Sequence, residues 1–519
     1  MKARLCAGLN ELLRLRCRQE ARRFRRALEQ VEKVQAEKLR SILRRNADCV
    51  YGRRFCFAQC GDVDSYRACV PLTTYEDYLP YIERMKRGEP HVLTGERVLL
   101  FEVTSGSASA RKLIPYTAGL KAEFQRGLWS WLYDLYTHCP RVKYGRSYWS
   151  ITPVLERTYT EGGLPVGFET DAGYFGAAEQ YLMRLLFVGP QRVATEMERF
   201  YFETCLALLQ AEDLALLSVW NPAYLFLLLA YIKAQRDDLL PRLQPRRRAA
   251  VAEALETENY ERLWPRLAVL SCWCDGHAMQ YQKRLEAMFP QALVQPKGLL
   301  ATECFVTLPL VGKPGAAFSV RSHFFEFRDR RSGAFVALEA LQRGAQYEVI
   351  VTTSGGLYRY CLRDVVEVVA RDGETGAPLV RFKGRADKVS DLYGEKLHEL
   401  FVQRAVARFV NRSQFYMVAP EGRRYVLYVE GEAAPSLAEA VDNALREAFH
   451  YDYCRKLGQL LPLRVFCLRG DPRAAYLNEC VRRGKRLGEV KFAALALEGG
   501  WERVFSGAYA DEAEGGRSI

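Results

Sequence analysis

The sequence predicts an α/β protein with a large N-terminal domain and a smaller α+β C-terminal domain. Between about residues 70 and 305, short apolar segments alternate with longer helical patterns, which is typical of α/β layers built on parallel sheet. From 305 to 370 the pattern changes to short strands separated by glycines and charged turns, as in a β-barrel or an antiparallel sheet. After Gly384 helices and strands mix again. We therefore expect a large domain over 1–384 with a β-barrel-like subdomain, and a small mobile domain over 385–519.

Composition supports an ordinary globular protein. Of the 519 residues, 49% are hydrophobic and 26% are charged, which excludes a collagenous, coiled-coil or wholly disordered chain. The net charge of +13 suggests a polyanion partner. However, residues 1–45 alone hold 14 lysine and arginine residues against five acidic residues. The rest of the chain is nearly neutral, so no nucleic-acid partner is expected.

Residues 1–45 are predicted to form a basic N-terminal helix. Apolar residues recur at helical spacing, with Gln35 as a polar exception, and the set is Phe24, Leu28, Val31, Leu39 and Ile42. Arginines 14, 18, 22, 25 and 26 lie on another face. This pattern favours a helix packed on the body with a solvated basic side. A helix that makes weak contact with a membrane surface or another polyanion is the alternative.

Two further features of the sequence predict where in the cell the protein lies. The apolar run Leu214–Ile232 could suggest a membrane span, but Asn221-Pro222 is a helix-start signal, so a buried strand followed by a helix is favoured. The chain holds 15 cysteines and shows no secretory signal, which predicts free thiols and a cytoplasmic location. Cys272 and Cys274 with His277 fit no zinc spacing.

Individual elements follow from the same patterns. In the α/β region we expect strands and helices at Val98–Val103 (strand), Gly119–Tyr136 (helix), Ser147–Thr152 (strand) and Ala177–Leu186 (helix). Residues 235–250, with Arg246-Arg247-Arg248, predict a solvated surface. Later strands are expected at Phe305–Leu310, Ser322–Phe327, Tyr347–Thr352, Leu357–Tyr360, Val365–Val369 and Tyr425–Val429, and helices near 395–410 and 435–450.

Some polar segments could carry chemistry. Thr104–Lys112 is a hydroxyl-rich turn after a strand, able to present N–H groups and a lysine to phosphate, although many ordinary turns are similar. Glu303, inside an apolar stretch after Thr302, needs a partner: a magnesium ion or an arginine. Asp364 could accept hydrogen bonds from ribose hydroxyls or pair with Arg359 or Arg363.

Two C-terminal segments add to this set. Phe382–Lys388 combines a glycine with alternating charges and suits a hinge between lobes. Lys491 lies on a glycine-containing turn, and by itself it does not indicate a function.

In their order, these segments resemble the adenylate-forming ligase superfamily, and the acyl-acid amido synthetases (the auxin-responsive Gretchen Hagen 3 family) most of all. The resemblance spans nearly the whole chain. Further blocks that carry it are Val70-Pro71-Leu72, Lys112 to Thr117, Trp220-Asn221-Pro222, Lys297 to Glu303, Ser322 to Phe327, Gly356 to Tyr360 and Gly394 to Glu399.

The resemblance implies an enzyme that activates a small carboxylic acid with ATP and Mg²⁺ as an acyl-adenylate and then joins it to an amino acid. It places Ser105, Gly106, Ser107 and Lys112 on the phosphate loop, Thr302 at the α-phosphate, Glu303 at the metal and Asp364 at the ribose. Lys396 and Lys491 would offer positive charge to the reacting groups. The small domain would rotate about the segment near Arg385–Asp387. Family members tend to be monomers.

Three positions depart from the family pattern. Ser109-Ala110 stand where two glycines are usual, Arg363 replaces the glycine before the ribose aspartate, and Leu299 stands where related ligases often have an aromatic residue. Two alternatives therefore stay open: a ligase with a thiol acceptor such as coenzyme A, and a catalytically inactive member that acts as a binding protein.

Overall fold

The computed structural model describes the chain except for residues 1, 104–111, 151–157, 168–184, 190–196, 221, 276–279, 387, 394, 412, 435, 457, 484–489 and 513–519. The chain forms two compact units. The first comprises Met1–Trp273, Leu285–Leu362 and Val366–Phe382, and the second comprises Cys274–Arg284, Arg363–Val365 and Lys383–Ile519.

The described chain contains helices on both sides of residue 300 in the sequence. Those before residue 300 are α1 (Lys2–Leu28), α2 (Val31–Asn46), α3 (Val50–Arg54), α4 (Val63–Cys69), α5 (Tyr75–Lys86), α6 (Ala118–His138), α7 (Met197–Gln210), α8 (Pro222–Ala234), α9 (Arg236–Leu239), α10 (Pro245–Glu256) and α11 (Gln280–Met288). Those after it are α12 (Glu399–Val406), α13 (Ser436–Leu445), α14 (Phe449–Lys456) and α15 (Pro472–Arg482).

Two four-stranded sheets and a small hairpin belong to the first unit. Their strands are β1 (Val98–Val103), β2 (Leu113–Thr117), β3 (Arg146–Trp149), β4 (Thr158–Tyr159), β5 (Pro165–Val166), β6 (Leu214–Ser218), β7 (Val269–Cys272), β8 (Leu293–Pro296), β9 (Leu300–Ala301) and β10 (Cys304–Phe305). One sheet has the order β2-β1-β5-β4, and β9 and β10 form the hairpin. The other, β3-β6-β7-β8, is parallel throughout. All five residues of β6 are buried, as expected for a strand covered on both faces.

The strand-rich segment forms a seven-stranded sheet of order β11-β12-β17-β16-β15-β13-β14. Its strands are β11 (Thr307–Pro309), β12 (Ala316–Phe318), β13 (Phe324–Asp329), β14 (Phe335–Val336), β15 (Gln346–Thr352), β16 (Tyr360–Arg371) and β17 (Pro378–Arg385). The pairs β11–β12, β12–β17, β13–β14 and β13–β15 are antiparallel. The α/β class predicted from the alternating pattern is confirmed.

The second unit has a sheet and core of its own. A hairpin of β18 (Val389–Ser390) and β19 (Leu397–His398) precedes a sheet of order β20-β21-β22-β23. The strands of that sheet are β20 (Tyr416–Glu421), β21 (Arg424–Glu430), β22 (Arg464–Leu468) and β23 (Gly507–Tyr509). Its core includes Val418, Leu427 and Val465 from the sheet and Leu445 from α13.

Several element predictions match. The strand Val98–Val103 is β1, and the predicted helix at Gly119–Tyr136 is α6, which Thr117 caps by accepting the Leu120 N–H at 3.1 Å. The apolar run from Leu214 divides into β6 and α8. Along the described ranges, no helix combines the length and the apolar character that crossing a bilayer requires. Most of the predicted helix Ala177–Leu186 lies outside the described residues.

The N-terminal segment was predicted to form one helix, but it forms two, α1 and α2. The chain breaks at Glu29-Gln30, where two N–H groups bond to carbonyls three residues earlier, and α2 begins at Val31. The predicted apolar face is buried on both sides of the break, and α1 packs against α6. Gln35 is buried with it because its amide bonds to the backbones of Val320, His323 and Phe325 at 2.7–2.9 Å.

Two other expectations are corrected. Arg247 was expected on a solvated surface, but it is buried, and its guanidinium donates to the carbonyls of Leu209 and Leu263. The segment Leu357–Tyr360 was expected to be a strand, but only Tyr360 belongs to β16. Arg359 has φ +46°, outside the β region, because its N–H donates to Thr352 while its side chain is held elsewhere.

Candidate functional site

The predicted phosphate segment joins β1 to β2, which pair as an antiparallel hairpin. Ser105, Gly106 and Ser107 lie outside the described residues, as do Ser109 and Ala110. Lys112 is described and half-buried, and its Nζ lies 5.3 Å from the ring centroid of Tyr75, the first residue of α5. A lysine in this place can offer positive charge to an anion at the loop.

Tyr75 also fixes the strand that follows the loop. Its hydroxyl accepts the N–H of Leu113, the first residue of β2, at 2.7 Å. Burial raises the pKa of the Tyr75 phenol, and the negative charge of Glu303 adds to the increase. The phenol therefore stays protonated at neutral pH and keeps its position beside Lys112.

Thr302 and Glu303 form the two-residue turn between β9 and β10, in which Ala301 pairs with Cys304. The turn is fastened on two sides. The hydroxyl of Tyr116, on β2, donates to the Thr302 carbonyl at 2.6 Å, and the hydroxyl of Tyr360, at the start of β16, donates to Oε1 of Glu303 at 3.3 Å.

The partner of Glu303 decides between two sequence-based hypotheses. Within the described ranges, no lysine or arginine forms an ion pair with this carboxylate, so the arginine alternative is not observed there. Its described contact is the phenol of Tyr360. A half-buried carboxylate with such a weak partner retains the oxygen acceptors that a hard cation requires.

The first unit thus brings three predicted residues to one place. Lys112, Thr302 and Glu303 come from two hairpins, and the tyrosines at 75, 116 and 360 link these hairpins to α5, β2 and β16. The arrangement offers one cation and one carboxylate that both lie near Tyr75, which suits a ligand carrying both phosphate and a divalent metal.

Asp364 lies on β16 in the second unit and is buried. Its Oδ1 is 3.9 Å from Nη1 of Arg385. The proposed pairing with Arg359 is not found, because Arg359 donates to Glu326 at 3.1 Å. Arg363, which replaces the family's glycine, has φ +63°, so the backbone keeps the left-handed conformation that glycine adopts without cost.

Lys396 and Lys491 are both exposed residues of the second unit. Lys396 has φ +48° in the turn between β18 and β19. The buried carboxylate of Glu395 shapes this turn by accepting the N–H groups of Leu392 and Tyr393 at 2.8 Å. The carbonyl of Lys491 accepts a hydrogen bond from Tyr476 at 3.1 Å. Both lysines are thus placed by backbone contacts and face solvent.

A lysine among indole rings was missed by the sequence reasoning. Lys297 follows β8 directly, donates to Oγ of Ser218 at the end of β6 at 2.7 Å, and lies 5.0 Å and 5.7 Å from the ring centroids of Trp220 and Trp131. Trp149, at the end of β3, packs on Trp131 with centroids 5.7 Å apart. We call these five residues the Lys297 cluster.

The Lys297 cluster occupies a favoured binding position. Ser218, Trp149 and Lys297 stand at the carboxyl ends of three strands of the parallel sheet, β6, β3 and β8, where open α/β sheets bind ligands. The signal in the sequence was a polar or aromatic residue at or directly after the end of each of these strands.

A buried ionic network lies behind the Thr302–Glu303 turn. Glu123, on α6, accepts from Nζ of Lys38 and from Oγ of Ser354 at 2.5 Å each, and its Oε2 lies 3.0 Å from Nδ1 of His323. Burial acts to raise the pKa of Glu123, but the charge of Lys38 and the contact with His323 outweigh it and lower the pKa to about 2. Burial lowers the pKa of His323.

The fold defines the class of protein. The chain superimposes on a 2-hydroxyisobutyryl-CoA ligase in the postadenylation state with a TM-score of 0.52, at 13% identity and covering 84% of this chain and 86% of the ligase. It superimposes more closely, with a TM-score of 0.80, on the AtGH3.15 acyl acid amido synthetase in complex with 2,4-DB, at 20% identity and covering 96% and 97% of the two chains. The fold is that of adenylate-forming ligases.

The family follows from the sequence. Residues 20–247 match the GH3 family N-terminal domain, 316–385 the GH3 family central domain and 395–498 the GH3 family C-terminal domain. The chain therefore belongs to the GH3 family, as the ordered motifs predicted.

Plant relatives agree with this assignment. The indole-3-acetic acid-amido synthetase GH3.15 of Arabidopsis thaliana is 25% identical over 434 residues, covering 72% of this chain and 71% of the relative. The indole-3-acetic acid-amido synthetase GH3.8 of Oryza sativa subsp. indica is 25% identical over 428 residues, covering 73% and 70%.

Proposed function

We propose that the protein is an ATP-dependent ligase that activates a small carboxylic acid as an acyl-adenylate and joins it to the amine of an amino acid. The products are an amide, AMP and pyrophosphate. The observation that carries the proposal is that Lys112 and Glu303 both lie near Tyr75, in a chain of the GH3 family. Tyr116 and Tyr360 hold the Thr302–Glu303 turn in place. The names of the plant relatives supply the reaction class.

The residues present fit ATP and Mg²⁺. Glu303 would hold the metal, because carboxylate oxygens are preferred ligands and its described partner is a phenol. Lys112 with Ser105, Gly106 and Ser107 would bind the phosphates. When bound, the metal would neutralise charge that gathers on the phosphates during adenylation.

Residues of the second unit would complete the reaction. Asp364 would accept hydrogen bonds from the ribose hydroxyls, and Lys396 and Lys491 would stabilise charge on the α-phosphate and the reacting carboxylate. Rotation of the domain 385–519 about Arg385–Asp387 would let these two lysines act in turn. Both lysines are exposed, so a nucleotide can reach them.

The Lys297 cluster would bind the acid. Indole faces provide flat apolar contact area for the acid. The Lys297 ammonium can attract a carboxylate while it keeps its hydrogen bond to Ser218. This assignment makes Lys297 a substrate-binding residue and gives the parallel sheet a direct role in the reaction.

Pyrophosphate release from ATP tests the proposal. Purified protein is supplied with a panel of carboxylic acids, with and without amino acids or coenzyme A. Acid-dependent release followed by amide formation is expected. If thioesters form in place of amides, the acceptor is a thiol. If no acid supports release, the chain is an inactive member that acts as a binding protein. The D364A variant should lose release while remaining folded.

A weak membrane contact through α1 is a second proposal. The outer face of α1 carries three exposed leucines, Leu5, Leu12 and Leu15, at 62%, 60% and 46% exposure. The same face carries exposed arginines, which are Arg4, Arg18, Arg22, Arg23 and Arg26. Leucines beside arginines favour an anionic lipid surface over nucleic acid, which needs no apolar insertion. We further propose a cytoplasmic monomer.

A further inference from the structure

We propose that His323 is a positioning residue for the Thr302–Glu303 turn, acting through the backbone of β10. This inference rests on the proposed function, in which Glu303 holds the metal. His323 is fully buried, and its Nε2 accepts the backbone N–H of Phe305 at 3.0 Å. Phe305 is two residues after Glu303 and belongs to the hairpin strand that carries the turn.

The other side of the imidazole lies beside a carboxylate, without a hydrogen bond at Nδ1 to any described residue. Because Nε2 accepts a hydrogen bond, a neutral His323 carries its proton on Nδ1, which faces Oε2 of Glu123 at 3.0 Å. Glu123 in turn accepts from Lys38 and Ser354. The hydrogen bond at Nε2 and the short separation between Nδ1 and Glu123 connect β10 to α6 through the imidazole.

The same carboxylate also fixes the segment that leads to the partner of Glu303. Glu123 accepts the N–H of Ser354 at 3.1 Å as well as its hydroxyl, and Tyr360 lies six residues further along the chain. The network therefore contacts both the hairpin that carries Glu303 and the segment that leads to Tyr360. A purely structural role would require only that the buried charges be satisfied, with no link to the hairpin.

Two substitutions separate these roles. In H323Q, the amide oxygen can take the place of Nε2 and accept the Phe305 N–H. In H323N, the shorter amide can take the place of Nδ1 and donate to Glu123, which leaves the Phe305 N–H without an acceptor. The two variants are matched in charge and both lose the ring, so they differ mainly in the link to β10.

The first readout is hydrogen exchange of the segment 304–306 in the nucleotide-free protein. H323N should exchange about tenfold faster than wild type there, and H323Q should stay within about threefold. The second readout is acid-dependent pyrophosphate release. H323N should lower kcat about tenfold, and H323Q should restore most of that loss.

The outcomes are distinguishable. Equal exchange in the two variants overturns the link between His323 and the hairpin. Different exchange with equal kcat overturns the positioning role. If wild type releases no pyrophosphate, the proposed function fails, and the positioning role fails with it, while the exchange arm still decides the link. Should H323N not fold, ¹⁵N shifts of wild-type histidine decide, because a proton on Nε2 of His323 contradicts the proposal.

Discussion

The hydroxyl of Tyr360 donates to the carboxylate of Glu303 across 3.3 Å, joining the first residue of β16 to the β9–β10 turn. Tyr360 is itself anchored, since Thr73 pairs with it in a parallel bridge and its ring lies 6.2 Å from that of Tyr78. Glu303 is thus oriented by a group that a metal ion would not have to displace, because the carboxylate has a second oxygen.

Replacing Glu303 by glutamine should abolish the reaction. The E303Q variant keeps the side chain's shape and the acceptor for Tyr360 but loses the negative charge that would bind Mg²⁺. We expect acid-dependent pyrophosphate release to fall at least about 100-fold, whereas Y360F should fall about threefold to tenfold. The exposed Glu339→Gln serves as the control. Near-wild-type release by E303Q would contradict the assignment.

Replacing Lys297 by methionine should weaken acid binding selectively. The substitution keeps an unbranched apolar chain between the indole rings and removes the ammonium that Ser218 and the two ring faces surround. We expect the KM for the acid to rise about tenfold or more, with the KM for ATP within about twofold. Lys33→Met, on the exposed side of α2, is the matched control. A rise confined to ATP would place Lys297 elsewhere in the reaction.

The stability of the first unit should fall between pH 7.5 and 5.5. Burial lowers the pKa of His323, so below pH 6.5 the unfolded state binds a proton that the folded state does not, and stability decreases as pH falls. The pKa of Glu123 is lowered to about 2, so the stability that this group contributes is fully present above pH 4.5. Glu123 therefore adds no change in stability between pH 7.5 and 5.5.

Urea unfolding at the two pH values measures this change. In H323Q the group that titrates is absent, so its loss of unfolding free energy between pH 7.5 and 5.5 should be smaller than that of wild type. An equal loss in both proteins would show that His323 titrates alike in the folded and unfolded states.

The outer face of α1 should bind vesicles that contain anionic lipid. Co-sedimentation with vesicles of phosphatidylcholine and phosphatidylserine should retain wild type, whereas phosphatidylcholine alone should not. Replacing Leu5, Leu12 and Leu15 by serine, or Arg18, Arg22 and Arg23 by glutamine, should each lower binding about tenfold or more. If the leucine variant binds as well as wild type while duplex RNA competes, the surface is a nucleic-acid site.

The sequence predicted the regular elements with strong local patterns. The strand β1 and the helix α6 lie where period and capping placed them, and Asn221-Pro222 marked the start of α8. The sequence also predicted the family. The order of the motifs is still recognisable although the chain is only about 25% identical to its plant relatives. The strand expected at Leu357–Tyr360 was wrong because long-range contacts of Arg359 override the local preference of an apolar run.

Local pattern could not find groups whose partners are distant in the chain. Arg247 looked like one of three surface arginines, yet only it is buried, since two carbonyls from other elements satisfy it. The acidic side chain of Glu123 lay inside a predicted helix with no sign of its partners, which come from α2, the loop before β13 and the turn after β15.

By itself, then, the sequence determined the α/β class, the family and the order of the chemical groups, because these depend on local period and on motifs read along the chain. Only the tertiary structure decided which groups meet: Glu303 with Tyr360 rather than an arginine, Lys297 with Ser218 among indole rings, and His323 between Glu123 and Phe305. The physical reason is that hydrogen bonds and buried charges are satisfied in space, by residues that packing brings together from distant parts of the chain.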